Sequence, residues 1–579
     1  MRRLALVVLT LAAVAALPGL APRPASSDDT PKVQFRHGQR YAGLDFRHTS
    51  GAFGKKYLPE TMGSGVAVFD YDADGWLDVF LVNSTRFPGQ KGEPVYSALF
   101  RNTRDGRFED VTRQAGLAVE MYGIGAAAAD YDSDGWTDLY VTAVGGSHLF
   151  RNRGDGTFED VTAKAGARGP ETFPTSAMFF DYDKDGHLDL VVANYVTWTL
   201  EGDLHCTLDG TTKSYCTPES YEGESPTLLH NRGDGTFEDA TRRAGVWSPS
   251  SKALGVALLD YDSDGWPDFA LANDTEPNQL FRNRGDGTFE EVGMLAGMAF
   301  DETGKARAGM GIDSADYSGQ GRPGLLIANF SNEMLALYDN VGNGLFVDDA
   351  PTSEVGRASV LTLAFSVFFF DYDLDGRFDI FAGNGHVADD INVVQSGVTY
   401  AQPPHLFRNV DGRRFDEVTD ELGEALEEPI VARGAAHGDL DNDGDLDIVV
   451  NVNNGPAVLY RNDGANQNRF VRVRTVGTRS NRDGIGARVT VTRPDGNTQW
   501  RLVHSGSSYA SQSDTALTFG LGSQDKARSI EVAWPSGQVD RIGEVPANHV
   551  VWVKEGKGLL AAKPLPEKGA RFGVDQASK

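Results

Sequence analysis

The feature that most constrains this chain is a short acidic stretch that recurs along it. The first copy, DYDADGWLD, places carboxylates at Asp70, Asp72 and Asp74, a glycine at Gly75 and a fourth carboxylate at Asp78. Acids at loop positions 1, 3 and 5, glycine at 6 and a main-chain carbonyl at 7 let a short backbone curl around one hard cation of the Ca²⁺ type, which takes about six to eight oxygens. The flanks exclude an EF-hand: position 12 is Leu81 where a bidentate Glu would stand, and VAVF and LDVFLV are short apolar runs of strand type. The loop therefore joins two strands.

The pattern returns with Asp130, Asp132, Asp134 and Asp138, with Asp181, Asp183, Asp185 and Asp189, and with Asp260, Asp262, Asp264 and Asp268. It returns again with Asp371, Asp373, Asp375 and Asp379, and with Asp439, Asp441, Asp443 and Asp447. A copy starting at Asp316, DYSGQGRPG, keeps the first acid and the glycine but carries Ser318, Gln320 and Gly324 at the other ligand positions. We expect about six Ca²⁺ sites and one lapsed loop.

Each acidic loop belongs to a longer repeat. An apolar strand enters it and a second leaves it. Then comes LFRN, at Leu99, Leu149, Leu280 and Leu406, varied to LLHN at Leu228, LYDN at Leu337 and LYRN at Leu459. A Gly-Asp-Gly corner follows in NRGDGTF at Asn152, Asn231 and Asn283, a hairpin signal leading into a fourth strand marked by Phe108, Phe158, Phe237, Phe289, Phe346 and Phe415. Four antiparallel strands per repeat, with no interleaved helices, predict an all-β chain built as a seven-bladed propeller. No fourth strand follows the last LYRN, but VQFRHGQRYAGLDF from Val33 resembles the fourth-strand segments, so the N-terminus is expected to close the last blade and remove an open edge. Small residues in GSGVAV, GIGAAAA, LGVAL and RGAAHG suit the innermost strand.

Extra chain falls between the second strand and LFRN, at 84–98, 195–227 and 385–405, which topology places on the face opposite the acidic loops. The second insertion holds the only cysteines, Cys206 and Cys216, ten residues apart and expected to pair. The third carries His386, Asp389 and Asp390, a candidate partner loop on that face. Asn recurs at one offset in Asn83, Asn194, Asn273, Asn329 and Asn384, which reads as a repeat-wide turn residue more readily than as glycan acceptors.

The formal charge of −28 over 579 residues argues against nucleic acid or an anionic membrane surface as partner. Residues 1–27 open with Arg2 and Arg3 before an apolar run, as in a secretory signal, which implies a secreted, extracellular or periplasmic protein without a membrane span. The propeller is expected over 28–463. Over 464–556 the repeats give way to strand runs such as FVRVRTV, ARVTVTR and SIEVAWP, a second, small β-sandwich domain, and 557–579 reads as a flexible tail.

These residues resemble a known family. The repeats are similar to the FG-GAP/VCBS type of integrin α-chain propellers. NRDGIGARV at Asn481, SGSSYASQSDTALTFGLG at Ser505 and VAWPSG at Val532 resemble the ASPIC/UnbV domain, and the whole arrangement resembles the cartilage acidic protein family. The resemblance implies Ca²⁺ at the six acidic loops and a secreted calcium-binding matrix or interaction protein, with no chemistry attached to the C-terminal domain. The expected function is binding of a protein or matrix partner through the long loops, with Ca²⁺ as a staple. A Ca²⁺-dependent lectin is the alternative. A Ca²⁺-dependent hydrolase stands behind it, because no HExxH or GxSxG occurs and no basic cluster is gathered for phosphate. We therefore expect no enzyme activity.

Overall fold

A computed structural model describes residues 33–38, 42–207 and 210–566. The expected signal segment 1–27 and residues 567–579 of the expected tail lie outside the described residues.

The chain is all-β. In the first repeat the strands Val66–Phe69, Asp78–Leu81, Ala98–Asn102 and Phe108–Asp110 pair in order, each antiparallel to the next. Six further four-stranded sheets of the same kind follow among the described residues, opening with Tyr122–Ala129, Pro174–Phe180, Ala253–Leu259, Gly309–Ala315, Ala364–Phe370 and Ala432–Gly438. These first strands are mostly apolar or small and almost entirely buried, with Asp313, Arg433 and His437 as exceptions in type, whereas Phe108–Asp110 buries its Phe and exposes both acids, so the sheet runs from a crowded inner strand to a wet outer one. The last sheet lacks an outer strand of its own and takes Gln34–His37, which pairs antiparallel with Val458–Asp463 from Gln34 opposite Asp463 to His37 opposite Tyr460.

The sheets pack on their neighbours. Val66, Val68 and Phe100 of the first share one buried cluster with Ala436, Val449 and Leu459 of the last. The inner strands touch in chain order, and Val66–Phe69 also touches Ala432–Gly438.

Asparagines stitch the sheets together. The Asn that ends each LFRN-type segment donates its side-chain N–H to a backbone carbonyl in the acidic loop of the preceding repeat. Asn152 bonds Tyr71 at 2.8 Å, Asn231 bonds Tyr131 at 2.9 Å, Asn283 bonds Tyr182 at 2.7 Å and Asn340 bonds Tyr261 at 2.9 Å. Asn409 and Asn462 do the same to Tyr317 and Tyr372, both at 2.9 Å. Asn102 of the first repeat bonds Leu440 of the last at 2.7 Å.

Beyond the repeats, Leu517–Gly522, Arg469–Val476, His549–Lys554 and Gly558–Pro564 form one sheet, and Thr498–Leu502, Arg488–Thr492, Ser529–Ala533 and Val539–Ile542 another. Val471, Val473 and Phe519 meet Val489, Val491 and Ile530 in a common core, a small sandwich. Gly558–Pro564, expected within a flexible tail, is instead an edge strand paired with His549–Lys554. Its apolar residues are half-exposed and do not alternate with polar ones, so the strand has little period to read.

The sandwich sits on the acidic-loop side and sends residues 505–514 between the inner strands. Ser508 bridges to Ile312 and Gln512 to Ala67. The Ala510 carbonyl accepts from Ala126 N at 3.1 Å, and the Gln512 amide bonds both N and O of Ala128. Tyr509 is fully buried, its ring edge-on to Phe365 at 4.9 Å and its hydroxyl donating to the Met62 carbonyl at 2.9 Å. A Cβ on Gly65 would overlap the Ala510 carbonyl, so glycine stands just before the first inner strand.

Candidate metal centres

The acidic loops are shaped by their own carboxylates. In the first, Asp70 Oδ1 accepts from Asp74 N at 3.0 Å and Oδ2 from Gly75 N at 2.9 Å. Asp78 Oδ2 accepts from Tyr71 N at 3.0 Å and Oδ1 from Asn102 N at 2.8 Å, so the ninth loop position anchors the loop to the third strand. Loop position 4 lies in the left-handed region in all six acid-rich copies: Ala73, Ser133, Lys184, Ser263, Leu374 and Asn442 have φ between 52° and 61°. Holding a non-glycine residue there costs roughly 1–2 kcal/mol. The lapsed loop keeps the backbone bonds, Gln320 N and Gly321 N both to Asp316 at 2.9 Å, but has Gly319 at position 4.

The predicted ligands converge. Asp70, Asp72 and Asp74 bring oxygens within 4.8 Å of one another, as do Asp130, Asp132 and Asp138, Asp181, Asp183 and Asp185, and Asp260, Asp262 and Asp268. The Oδ1 atoms of Asp132, Asp183, Asp260 and Asp371 are buried without a hydrogen-bond partner. Burial, reinforced by repulsion between neighbouring acids, pushes the carboxyl of Asp70 up to about 7 and those of Asp130 and Asp181 up to about 8. Crowded, partly unpartnered carboxylates of this kind fit a hard cation with oxygen ligands.

The sandwich covers this side with charged residues of both signs. Arg472 meets Asp439 at 2.7 Å, Arg501 meets Asp371 at 3.4 Å, and Asp483 accepts from Asp130 N at 2.8 Å. A cavity of about 250 Å³ remains between the two parts, with Asp313 and Phe369 on one wall and Trp500, Arg501 and His504 on another.

The insertions lie on the other side. The Cys206–Cys216 disulfide is formed, with Cα atoms 5.2 Å apart. Tyr57, Phe87, Tyr122 and Trp198 make a run of rings, Tyr57 to Phe87 at 4.9 Å and Phe87 to Tyr122 at 4.8 Å, extended by Phe53, which is 42% exposed. Lys56 lies over Tyr215 at 4.6 Å and Lys213 over Tyr57 at 5.2 Å. His386, Asp389 and Asp390 do not face one another. His386 is buried edge-on to Phe330, and burial, aided by Arg433, lowers it to about 4, while Asp389 and Asp390 are exposed and Asp389 pairs with Lys56 at 2.8 Å. The turn asparagines clamp their connections: Asn194, Asn273, Asn329 and Asn384 donate to the carbonyls of Ser225, Pro277, Met334 and Pro403.

Two features escaped the sequence reading. Arg433 is wholly buried, donating to the carbonyls of Thr61, Ala432, Gly385 and His386 and lying 3.9 Å over the Phe365 ring. Glu60, 2% exposed, has one oxygen without a partner and the other bonded by the Tyr215 hydroxyl at 3.1 Å. Their only signal is local: a charged residue opening the mostly small RGAAHG, and an acid just before GSGVAV.

Sheets, loops and stitching define an all-β, propeller-like protein of repeats. Residues 70–141, 130–192, 209–271 and 260–327 match the family described as FG-GAP-like repeat, and residues 477–559 match ASPIC and UnbV. This combination of repeats and C-terminal domain resembles that of the cartilage acidic proteins. The chain is 26% identical to human cartilage acidic protein 1 over 62% of its own length and 50% of that protein. To the mouse protein it is 25% identical over 83% of this chain and 72% of the relative, and to the Xenopus tropicalis protein 24% over 83% and 71%. The chain thus spans half the length of the human relative. Among solved structures, the Burkholderia pseudomallei lectin BP39L is 10% identical with a TM-score of 0.43, covering 70% of this chain and 96% of its own. An Agrocybe aegerita lectin that recognises terminal N-acetylglucosamine is 17% identical with a TM-score of 0.37, covering 67% and 88%. These distant likenesses decide nothing about a ligand.

Proposed function

We propose that this is a secreted, calcium-binding interaction protein. Its seven sheets form a closed seven-bladed propeller over 28–463, Ca²⁺ staples six of the blades, the sandwich over 464–556 caps the calcium side, and a protein or matrix partner engages the opposite face. Ring closure is supported by the inner-strand contacts and by the Asn102 bond from the first repeat to the last. Secretion is supported by the leading segment and by the disulfide. The reading of the site rests above all on one observation: the acidic side is occupied by the sandwich, whereas the opposite side gathers aromatic and basic groups from separate parts of the chain, exposed Phe53 and half-buried Lys56 and Lys213 with the buried rings of Phe87 and Trp198. Aromatic anchors with nearby cations are the composition recognition surfaces favour.

The test is a pull-down with the full chain in Ca²⁺ and in chelator, followed by replacement of residues 385–402 with a Gly-Ser link. Loss of binding with an unchanged calcium-dependent melt supports the assignment. Binding that survives this swap but vanishes when the sandwich is removed overturns it. Phe53, exposed at the edge of the ring cluster against Tyr57, also suits a sugar face, so a glycan array run with and without Ca²⁺ separates a lectin from a protein binder.

A further inference from the structure

One of the six acid-rich loops differs from the rest in what faces it. The third residue of the LFRN-type segment is Arg101, Arg151, Arg282, Arg408 or Arg461 in five of these repeats, and His230 in the third. In two of these repeats the Arg pairs directly with the loop, Arg151 Nε 2.5 Å from Asp132 and Arg282 Nε 2.9 Å from Asp262, whereas Arg101, Arg408 and Arg461 pair with Glu109, Asp416 and Asp463. A guanidinium stays protonated and has no lone pair to give a metal. A neutral imidazole has one.

His230 is aimed at the acids. Its Nδ1 lies 3.0 Å from Asp189 Oδ1 and 3.7 Å from Asp183 Oδ2, and the ring is set edge-on against Tyr182 at 5.8 Å. Ligand atoms of Asp183, Asp189 and His230 fall within 4.8 Å of one another. Asp189 is fully buried and oriented by Asn231 N at 2.8 Å, and the buried Oδ1 of Asp183 has no partner. Neighbouring ligands held about 2.0–2.2 Å from a zinc-sized ion at tetrahedral or octahedral angles stand roughly 2.8–3.6 Å apart, close to the spacing seen.

We propose that the third acidic loop is a mixed nitrogen and oxygen site for a borderline divalent transition ion of the Zn²⁺ type, with Asp183, Asp189 and His230 as ligands. The proposal rests on the reading of the acidic loops as cation sites and departs from it in this one repeat. Imidazole selects such ions over Ca²⁺, which prefers oxygen alone.

The full chain, stripped of metal and saturated with Ca²⁺, is titrated with Zn²⁺ by calorimetry, and bound metals are counted by elemental analysis. The same is done for His230→Arg, which restores the residue of the other repeats, and for His230→Gln. One equivalent of Zn²⁺ in the wild type, bound at least tenfold more weakly by both variants while Ca²⁺ content in the other loops is unchanged, supports the site. Co²⁺ should give a visible absorption spectrum lost in both variants. Zinc affinity that is the same in wild type and His230→Arg overturns the proposal, as does a wild type that fills with Ca²⁺ but takes no zinc equivalent. Zinc without calcium supports this site and sinks the calcium reading of the others, whereas no binding of either ion sinks both.

Discussion

The two sides of the propeller-like body are built from the same repeat yet have opposite characters. On the acidic side every connection is short, and charges are buried, paired and roofed by the sandwich: Asp439 and Asp371, both almost fully buried, meet Arg472 and Arg501, which are nearly so. On the other side the connections differ in length, and Phe53, Asp389 and Asp390 reach solvent. Short, repeated loops make a scaffold and unequal loops make a surface that only one partner fits. The proposed function assigns stability to the acidic side and recognition to the other.

The sharpest way to break the comparison is to remove the metal. An empty loop holds crowded carboxylates, and a site at about a hundredfold excess over its dissociation constant contributes about 2.7 kcal/mol, so exhaustive chelation is expected to lower the melting temperature substantially. An unchanged melt, with no calcium by elemental analysis before chelation, rules calcium out. Next comes Tyr509→Ala, which empties the space the sandwich segment fills beside Phe365 and is expected to cost about 3–5 kcal/mol by denaturant titration. A cost below about 1 kcal/mol would mean the segment is a passenger.

On the insertion side, Cys206→Ser with Cys216→Ser is expected to cost at most about 2–3 kcal/mol and to leave the calcium-dependent melt in place. A larger loss than that of Tyr509→Ala would invert the comparison. The smallest effect tests the sandwich alone. Burial raises the Glu555 carboxyl, but hydrogen bonds from the Ser536 hydroxyl and the N–H groups of Arg479, Thr478 and Ser480 outweigh it and hold it down at about 2. A depressed acid stabilises the fold above its unfolded value, near 4.5, and loses that contribution as pH falls through about 2. Glu555→Gln should therefore cost about 2 kcal/mol at neutral pH, and the gap to wild type should narrow between pH 4.5 and 2. A gap independent of pH would refute this account.

Much of the scaffold was legible because it repeats. The acidic loops, the LFRN-type strands and the pairing of the N-terminal strand follow from periods that survive substitution, down to the lapsed loop at Asp316, whose backbone bonds persist without its acids. Residues 505–514 were legible only as a resemblance. Serine, glycine and alanine around one tyrosine have no hydrophobic period, and their burial depends on strands far away in sequence. The candidate partner residues were half legible: the insertion was placed by its length, but His386 turned inward because Arg433 and Phe330 needed it there, and neither contact has a local signal.

The pairing of Gln34–His37 with Val458–Asp463 also sets an order of events during synthesis. The strand that finishes the last sheet is made first, and its partner emerges only after six other sheets have had time to form. Until then the first strand waits unpaired, and once its partner emerges each edge matches the other in any neighbouring copy as well as its own. Crowded nascent chains should therefore fail in one particular way, by exchanging this strand into a domain-swapped dimer whose sheets are otherwise intact.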